Sequence, residues 1–425
     1  MKKKLLVLAY EYYPTENANT RIIHNTCEIL ADQFDIDLVT PEVAVDHPDQ
    51  VPVIHFRVIR VPSYSFHKEK CTAAPSPATY ARMLSEKFLG KLDHDDTRML
   101  ERLYEREVRK AVNLKDYDAV ISFSAPILAH GCASRMVRGT NVPWIPVCLD
   151  PYFSHRIFGP EGLEERKKRE EKYMEPAAKV LVAYPTDRDY LRAKVAFSDK
   201  IVSVEMPGVD AGAQAPAGLD HGDAGAGGTC VDRPVSPIHC AFFGSMYREI
   251  RDPRPAIALF NEVAKDPEIE VRFAGHLEDL SEEELFPKSG KIQYLGKLTG
   301  DDLAKNYAET DVLINIGNSV DNQMPSKIFE YISTGKPIIN IYKSQECPTL
   351  KYLTRYPLAL NLSEEDLKTD LLNKAAEVRA FLKTNSARRV PAEEIRKTFE
   401  ANTFESFAAS IASAIKSPTK EDMHS

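Results

Sequence analysis

The clearest structural pattern in the chain is the run Asn322-Gln-Met-Pro-Ser-Lys-Ile-Phe-Glu330-Tyr-Ile-Ser-Thr-Gly335-Lys-Pro-Ile-Ile339. It follows an apolar segment, Asp311-Val-Leu-Ile-Asn-Ile316. The order of residue types predicts a strand, a polar loop, a short helix that Gly335 stops, and a second strand. Such a unit directs backbone N–H groups and polar side chains into a crevice at the end of a parallel sheet. Anionic nucleotides bind in crevices of this kind.

The composition sets limits on the class of protein. A chain of 425 residues exceeds one ordinary core, so we expect two domains. A net charge of −8 argues against broad nucleic-acid binding, so we expect no nucleic-acid partner. Seven Cys without C-x-x-C spacing predict neither a disulfide framework nor a zinc site, and we expect no metal.

The expected location is the cytoplasm. The apolar run that begins the chain is shorter than the ~7 residues that a signal peptide needs, and it predicts a buried strand instead. We also expect no membrane span, because no segment approaches ~20 apolar residues. A long helix predicted over residues 80–112 leaves open a peripheral contact with the inner face of a membrane.

Strand and helix patterns alternate along most of the chain, which indicates α/β domains with parallel sheets. Residues 1–209 form one predicted Rossmann-like domain and residues 238–395 form the other. Between them, residues 210–237 are rich in Gly, Ala and Pro and predict a linker. Residues 396–416 predict a terminal helix that packs back on the first domain. We expect two doubly wound domains that face each other across a cleft.

The turn after the strand Ile238–Phe243 is a candidate phosphate loop. Glycine there allows a ligand to approach the backbone, and forked guanidinium donors suit a diphosphate. The alternative is an ordinary strand–helix turn with solvated arginines. The candidates in this loop are Gly244, Ser245, Arg248, Arg251 and Arg254.

Two further turns follow predicted strands of the second domain. They contain Gly275 and His276, and Gly296 and Leu298. The backbone at Gly296–Leu298 is a candidate platform for a nucleotide base, although a glycine after a strand more often makes only a turn.

In the opening stretch, Pro325 and Ser326 fit the start of a helix, and Lys327 lies in its first turn, where phosphates are favoured. Glu330 lies one turn further on, where its carboxylate can accept hydrogen bonds from a ribose diol. The alternative is a surface helix in which Glu330 pairs with a neighbouring cation.

The first domain offers two candidates for contact with an acceptor. Asp150 follows the strand Trp144–Leu149 and is placed to orient or deprotonate a hydroxyl. His130 lies on the helix after the preceding strand. The alternatives are that Asp150 caps a turn and that His130 packs in the core.

These residues resemble the GT-B glycosyltransferases, specifically the family-4-like group of bacterial polysaccharide and glycolipid enzymes. The segment Asn322–Pro337 is similar to the signature Q-x-P-S-K-x-x-E-Y-x-x-x-G-x-P of that group. The loop from Phe243 to Pro253 looks like its donor-phosphate loop, and Pro143–Tyr152 resembles its V-P-W-I-x-D-x-R-D-P-W segment. Asn322 departs from the pattern, because the group often has a glutamate eight positions before the one at Glu330.

The resemblance implies transfer of a sugar from a nucleotide sugar to a glycan or lipid-linked acceptor, with retention of configuration and without a metal or other cofactor. Arg251, Arg248 and Lys327 would hold the diphosphate, and Glu330 would bind the ribose. Asp150 would position the acceptor hydroxyl, with help from His130. Neither the nucleotide base nor the sugar follows from the sequence. The alternatives are a nucleotide-sugar epimerase of the same architecture and a catalytically silent binding module.

Overall fold

Alternating strands and helices build the chain into two units, Met1–Pro207 with Ala401–Ser425, and Gly208–Glu400. A computed structural model of the chain describes residues 2–15, 17–43, 52–64, 98–124, 126–155, 161–210, 237–287 and 290–416. Part of the helix predicted at 80–112, nearly all of the linker predicted at 210–237, and residues 65–79 and 417–425 lie outside these ranges.

The first unit contains seven strands and six helices within the described ranges. The strands are β1 (Lys3–Leu8), β2 (Phe34–Pro41), β3 (Arg57–Val61), β4 (Ala119–Ser124), β5 (Trp144–Cys148), β6 (Val180–Ala183) and β7 (Ile201–Val204). Five of the helices are α1 (Ala18–Ala31), α2 (Arg98–Ala111), α3 (Leu128–Val137), α4 (Leu163–Met174) and α5 (Thr186–Arg192). The sixth, numbered α14 in chain order, is Phe404–Lys416.

The strands of the first unit form one parallel sheet in the order β3-β2-β1-β4-β5-β6-β7. This is the order of a doubly wound fold, whose direction of winding reverses between β1 and β4. Strand β1 is an apolar run, and its residues Leu5–Leu8 have no exposed surface. The central strands β4 and β5 are buried at every position, which is typical of parallel strands covered on both faces, whereas the edge strand β3 carries two arginines.

Helix α14 completes the first unit although it comes from the end of the chain. It packs against α1, and the Lys416 ammonium donates to the Gln33 side-chain oxygen at 3.1 Å. Asn402, just before α14, donates from its side chain to the Met206 carbonyl at 3.0 Å.

The second unit repeats the same plan. Its strands are β8 (Ile238–Phe243), β9 (Met246–Tyr247), β10 (Ile269–Ala274), β11 (Leu277–Glu278), β12 (Ile292–Tyr294), β13 (Val312–Ile316), β14 (Ile338–Tyr342) and β15 (Ala359–Ser363). Its helices are α6 (Arg254–Val263), α7 (Glu282–Leu285), α8 (Gly300–Glu309), α9 (Lys327–Ser333), α10 (Leu350–Leu353), α11 (Glu364–Thr369), α12 (Leu371–Asn385) and α13 (Ala392–Thr398).

Six strands of the second unit form a parallel sheet in the order β12-β10-β8-β13-β14-β15, and β9 pairs with β11 beside it. The winding reverses between β8 and β13. Two Rossmann-like parallel sheets confirm the predicted fold class.

Several element boundaries differ from the predictions for local reasons. The helix predicted over Thr186–Val195 ends at Arg192, and Lys194 takes a left-handed backbone conformation with φ of 46°. The helix predicted over Glu364–Lys383 breaks at Asp370, whose backbone dihedrals (φ −145°, ψ 46°) are not helical. The short pair of strands β9 and β11 was not predicted, because two-residue strands carry no periodic pattern.

The helix of the opening stretch ends as predicted. The Gly335 N–H donates to the Ile332 carbonyl at 3.1 Å, and its φ of 69° lies in the left-handed region that favours glycine. A Cβ atom there would lie 2.6 Å from the Val390 carbonyl oxygen, so the position also lacks room for a side chain. None of the helices in the described part of the chain has both the length and the apolar content that crossing a membrane requires.

Candidate functional site

The loops after β8 and β13 meet at the point where the winding of the second sheet reverses. The Ser319 N–H donates to the Ile250 carbonyl at 2.6 Å, which joins the two loops directly. Ligands of doubly wound folds bind beside this point, outside the carboxyl ends of the strands. The candidate residues of the second unit lie on these loops, on the loops after β10 and β12, and on the first turn of α9.

Arg251 lies at the centre of this junction. Its guanidinium donates from Nε and Nη2 to the Asn318 side-chain oxygen, at 3.1 and 2.8 Å, and from Nη1 to the Ser245 carbonyl at 3.3 Å. Burial lowers the pKa of Arg251 from its usual value, but a guanidinium stays charged in proteins. Among the residues that the structure describes, no carboxylate lies within ion-pair distance of Arg251. The junction therefore contains a partly buried positive charge whose hydrogen bonds to described residues all go to neutral oxygens.

Asn318 sets the orientation of that charge. Its side chain is buried, and its amide nitrogen donates to the Gln323 carbonyl at 3.1 Å. This bond identifies which end of the amide faces Arg251, since the oxygen then accepts both guanidinium bonds. Asn318 thus links Arg251 to the loop that leads into α9.

Glycine is required where the loops after β8 and β10 cross. Gly275 has a φ of 148°, and a Cβ atom there would lie 1.8 Å from the Gly244 carbonyl oxygen. The Gly244 N–H donates to the Ala274 carbonyl at 2.9 Å, and the Gly275 N–H donates to the Gly296 carbonyl at 2.8 Å. These two N–H groups are engaged within the fold, so neither is left to bind a ligand.

Helix α9 is fixed to the end of β8 by Tyr331. The Tyr331 hydroxyl accepts from the Phe243 N–H at 3.0 Å and donates to the Phe243 carbonyl at 3.1 Å. Phe243 also stacks on Tyr307, with ring centroids 4.3 Å apart. Because Glu330 directly precedes Tyr331 on α9, the two hydrogen bonds between Tyr331 and Phe243 also fix Glu330 relative to the end of β8.

Lys327 and Glu330 face each other on the first turn of α9. The Lys327 ammonium lies 3.2 Å from a Glu330 carboxylate oxygen, and both side chains are partly exposed. The Lys327 ammonium also lies 5.7 Å from the centre of the Tyr307 ring. A ligand that contacts both charges would have to replace their ion pair.

Three other candidates lie on the loop before α9. Asn322 is buried, with 2% of its surface exposed, and Pro325 is buried beside it. Ser326 is the residue before the helix, but its hydroxyl makes no capping hydrogen bond. The structure brings Lys327 and Glu330 together on α9 and places the three loop residues just before that helix.

The three arginines of the predicted phosphate loop have different surroundings. Arg254 is exposed and pairs with Asp252 at 2.5 Å. Arg248 is exposed, and its guanidinium donates weakly to the Asp279 carbonyl at 3.4 Å. Arg251 alone among them is partly buried without a carboxylate, so the structure distinguishes it within the group.

The remaining candidates of the second unit lie on the strand-end turns as predicted. His276 is exposed and its ring nitrogen lies 3.0 Å from the Glu278 carboxylate. Gly296 has a φ of 68°, and no atom lies within 4 Å of a Cβ atom built there. Leu298 is partly exposed two residues later. A base platform at Gly296–Leu298 remains a prediction.

In the first unit, Asp150 lies just beyond the carboxyl end of β5. The Asn19 side chain, from the first turn of α1, donates to its carboxylate at 3.3 Å. Burial raises the pKa of Asp150 above its usual value, while the bond from Asn19 and the charge of His155 oppose that shift. A carboxylate with a raised pKa binds protons more readily, which suits a general base.

His130 is fully buried in the core of the first unit. Its Nδ1 lies 2.7 Å from the Ser122 hydroxyl, and its Nε2 lies 3.7 Å from the Cys148 sulfur. The Trp144 indole donates to the same hydroxyl at 2.8 Å. Burial lowers the pKa of His130 to about 3, so the ring is neutral at physiological pH. No hydrogen bond joins His130 to Asp150 in the described part of the chain, and this position favours the packing alternative.

Sequence reasoning missed Asn318, Tyr331 and Tyr307. Asn318 follows the predicted strand β13 by two residues, and the adjacency of β13 to β8 was the signal that could have found it. Tyr331 follows Glu330 directly, but its contact with Phe243 depends on tertiary packing. No group of three or more His, Cys, Asp or Glu side chains within the described ranges is placed to hold a metal ion.

Comparison with solved structures shows which class of fold this is. Sucrose-phosphate synthase from Thermosynechococcus elongatus is similar over 97% of this chain and 98% of its own, with a TM-score of 0.61 and 15% identity. Anabaena HepE in complex with UDP and glucose is similar over 97% of this chain and 99% of its own, at a TM-score of 0.60 and 11% identity.

The E. coli structure described as trehalose-6-phosphate bound with UDP-2-fluoro glucose gives a TM-score of 0.59 at 13% identity, over 98% of this chain and 100% of its own. Neither a protein-family model nor a curated protein matches the chain. The similarity to these three solved structures shows that the chain has the GT-B fold of glycosyltransferases.

Proposed function

We propose that the protein is a glycosyltransferase that moves a sugar from a nucleotide-sugar donor to a hydroxyl of a glycan or lipid-linked acceptor. The observation that carries the proposal is Arg251, a partly buried guanidinium at the switch point of the second sheet with no ion pair to a described carboxylate. The GT-B fold supports it, and so do the UDP compounds bound by two of the similar structures. A fold of this kind hosts several functions, so the site has to carry the argument.

Arg251 suits the charge that develops as the sugar–phosphate bond breaks. The leaving diphosphate gains negative charge, and a donor that is already oriented stabilises it without reorganisation. Asn318 and the Ser245 carbonyl hold the guanidinium in place before any ligand binds. Loss of such a contact typically reduces the rate by roughly 10²–10³.

The neighbouring loops supply the other proposed donor contacts. Because the N–H of Gly244 is engaged, backbone donation from this loop would come from Ser245. Lys327 would contact the diphosphate and Glu330 the ribose, after the two exchange their ion pair for the ligand. Both residues lie on α9, which Tyr331 anchors to the end of β8.

Asp150 is the proposed acceptor-binding group of the first unit. Its raised pKa and its bond from Asn19 give it an oriented oxygen that can accept a proton or a hydrogen bond from a hydroxyl. Asp150→Asn should therefore reduce turnover with an acceptor while leaving donor binding unchanged. The proposal includes transfer without a metal and with retention of the anomeric configuration. Activity in the presence of EDTA tests the first, and the anomeric configuration of the product tests the second.

The geometry favours transfer over epimerisation. An epimerase needs acid–base groups around the donor sugar, and the candidate for that role, His276, is exposed and paired with Glu278. Nucleotide release from UDP-, GDP- and dTDP-sugars, with and without acceptors, separates the alternatives. Release that requires an acceptor supports transfer, whereas donor binding without release across a broad panel supports a silent binding module.

The decisive experiment compares Arg251 with Arg254, which begins α6 three residues later. Arg251→Gln should abolish the thermal stabilisation by nucleotides, which amounts to about 2.7 kcal/mol for a ligand at ~100 times its Kd. Arg254→Gln is the matched control, because Arg254 already pairs with Asp252 and its removal should leave nucleotide binding intact. Equal stabilisation of both variants and the wild type would contradict the proposal.

A further inference from the structure

A basic cavity of about 380 Å³ lies on the helical layer of the first unit. Helices α2, α3 and α4 form its described walls, and seven basic side chains line it against two acidic ones. The whole chain carries a net charge of −8, so this concentration of positive charge is local. Its volume lies within the usual range for a small-molecule site.

The floor of the cavity is a buried and ordered polar cluster. The Glu101 side chain is buried, with 1% of its surface exposed. One carboxylate oxygen accepts hydrogen bonds from the Arg169 guanidinium at 2.9 Å and from the Tyr173 hydroxyl at 2.5 Å. The Arg135 guanidinium donates to the other oxygen. Gly131 provides room for this carboxylate, because a Cβ atom there would lie 2.3 Å from the Glu101 Cδ. The floor is therefore held rigidly by charge-assisted bonds between helices.

Two donors on this floor lack partners within the described part of the chain. The Nη2 nitrogen of Arg135 is buried and has no hydrogen-bond partner there. Ser134, which is 1% exposed, also makes no side-chain hydrogen bond to any described residue. Buried donors without partners are costly, so an acceptor that reaches both of them would gain more than one at the surface.

The rim adds positive charge that no described carboxylate neutralises. Arg102, Lys168 and Lys172 are exposed, line the cavity, and form no ion pair with a described carboxylate. Two of them lie on α4 and one on α2, so they surround the opening from both sides. A phosphate group, with several acceptor oxygens, can bind such donors simultaneously.

We propose that this cavity is a binding site for a phosphate-bearing ligand. Arg135 and Ser134 contact its oxygens on the floor, and Arg102, Lys168 and Lys172 attract it at the rim. Asp150 and Arg251 do not line the cavity, so the site is independent of the glycosyl-transfer proposal. The phosphate comes either from a soluble compound or from a lipid headgroup, and the chemistry at the protein is the same.

The test uses the full-length chain and inorganic tripolyphosphate, measured by isothermal titration calorimetry with a saturating concentration of UDP present. Arg102→Gln combined with Lys168→Gln and Lys172→Gln should weaken tripolyphosphate at least ~10-fold, and added salt should weaken the wild-type binding. Ser134→Ala should weaken it a few-fold without changing the charge. Circular dichroism verifies that each variant is folded.

Lys3→Gln combined with Lys115→Gln and Lys194→Gln is the charge control, because these three side chains are exposed on the same unit and none lines the cavity. This control should bind tripolyphosphate as the wild type does. Equal affinity in the triple variant and the wild type, or equal losses in the triple variant and the control, would overturn the proposal.

A second arm identifies the source of the phosphate. A lipid headgroup is assigned if the wild type co-sediments with vesicles of phosphatidic acid in phosphatidylcholine but not with vesicles of pure phosphatidylcholine. The triple variant (Arg102→Gln, Lys168→Gln and Lys172→Gln) should then lose this co-sedimentation. Loss of tripolyphosphate binding without vesicle binding by the wild type assigns a soluble phosphate compound. Arg251→Gln should leave both measurements unchanged, which keeps this result separate from the proposed function.

Discussion

Asn318→Asp is the substitution that tests the Arg251 junction most directly. The new carboxylate would keep the Asn318 oxygen 3.1 and 2.8 Å from Nε and Nη2 of Arg251, so it would neutralise the guanidinium without moving it. The second oxygen would then face the Gln323 carbonyl, where the amide now donates at 3.1 Å. A gained ion pair and a lost hydrogen bond oppose each other, so the unfolding temperature should change little.

Nucleotide affinity should fall clearly. Two unit charges 4 Å apart interact by ~4 kcal/mol at an effective dielectric constant of about 20. Because the junction is partly exposed, solvent screening reduces this, and we expect a loss of about 2 kcal/mol, or about thirtyfold in Kd. Isothermal titration calorimetry with UDP, GDP and dTDP measures the change, and the wild type provides the reference.

Asn318→Ala separates charge from orientation. It removes both hydrogen bonds to Arg251 but adds no negative charge, so it should weaken nucleotides by only ~1 kcal/mol, or about fivefold. The reasoning therefore predicts that the Asp variant binds more weakly than the Ala variant. An Asp variant within threefold of the wild type, or an Ala variant that is the weaker of the two, would refute it.

Three further predictions concern stability and the fold of the site. His130→Gln should remove part of the pH dependence of the free energy of unfolding. The pKa of His130 is about 3 in the folded chain and ~6.5 in the unfolded chain, so the unfolded chain binds more protons below ~6.5. The wild type therefore loses stability as the pH falls below ~6.5, and the variant should not show this loss. The extra loss should reach about 2 kcal/mol at pH 5, measured by urea unfolding with fluorescence of Trp144, the single tryptophan. Gly275→Ala should destabilise the second unit by roughly 4 kcal/mol and weaken nucleotide binding, because the new Cβ would collide with the Gly244 carbonyl oxygen. Scanning calorimetry measures the loss of stability, and titration with UDP measures the loss of affinity. Lys336→Met should cost about 3 kcal/mol in scanning calorimetry, because the buried ammonium donates to the carbonyls that end α8.

Each of these has an outcome that contradicts it. If the free energy of unfolding changes equally with pH in the wild type and in His130→Gln, the His130 ring is not a buried neutral base. An Ala at 275 with unchanged unfolding and unchanged nucleotide affinity would mean that the two loops do not cross as described. A Met at 336 that leaves the calorimetric midpoint unchanged would mean that water can replace the ammonium there.

Local patterns predicted much of the second unit, including helix α9 and its end at Gly335. They also indicated that Arg248, Arg251 and Arg254 shared a loop, but not that their surroundings differ. Arg254 pairs with a carboxylate two residues away, a contact that short-range reasoning could have found. Arg251 instead bonds a side chain 67 residues away, which only the pairing of β8 with β13 brings near.

The sequence alone determined most of the segments that become strands and helices, because apolar runs, helical periodicity, glycine and proline act over a few residues; the two-residue strands β9 and β11 and several helix ends were exceptions. It also determined that two parallel sheets form, since strands alternate with helices throughout. The tertiary structure decided which side chains are buried and which charges find partners: His130 enters the core, and Asn318 reaches Arg251. The physical reason is that desolvation and ion pairing depend on neighbours from distant segments, and those neighbours are set by the order of strands in each sheet.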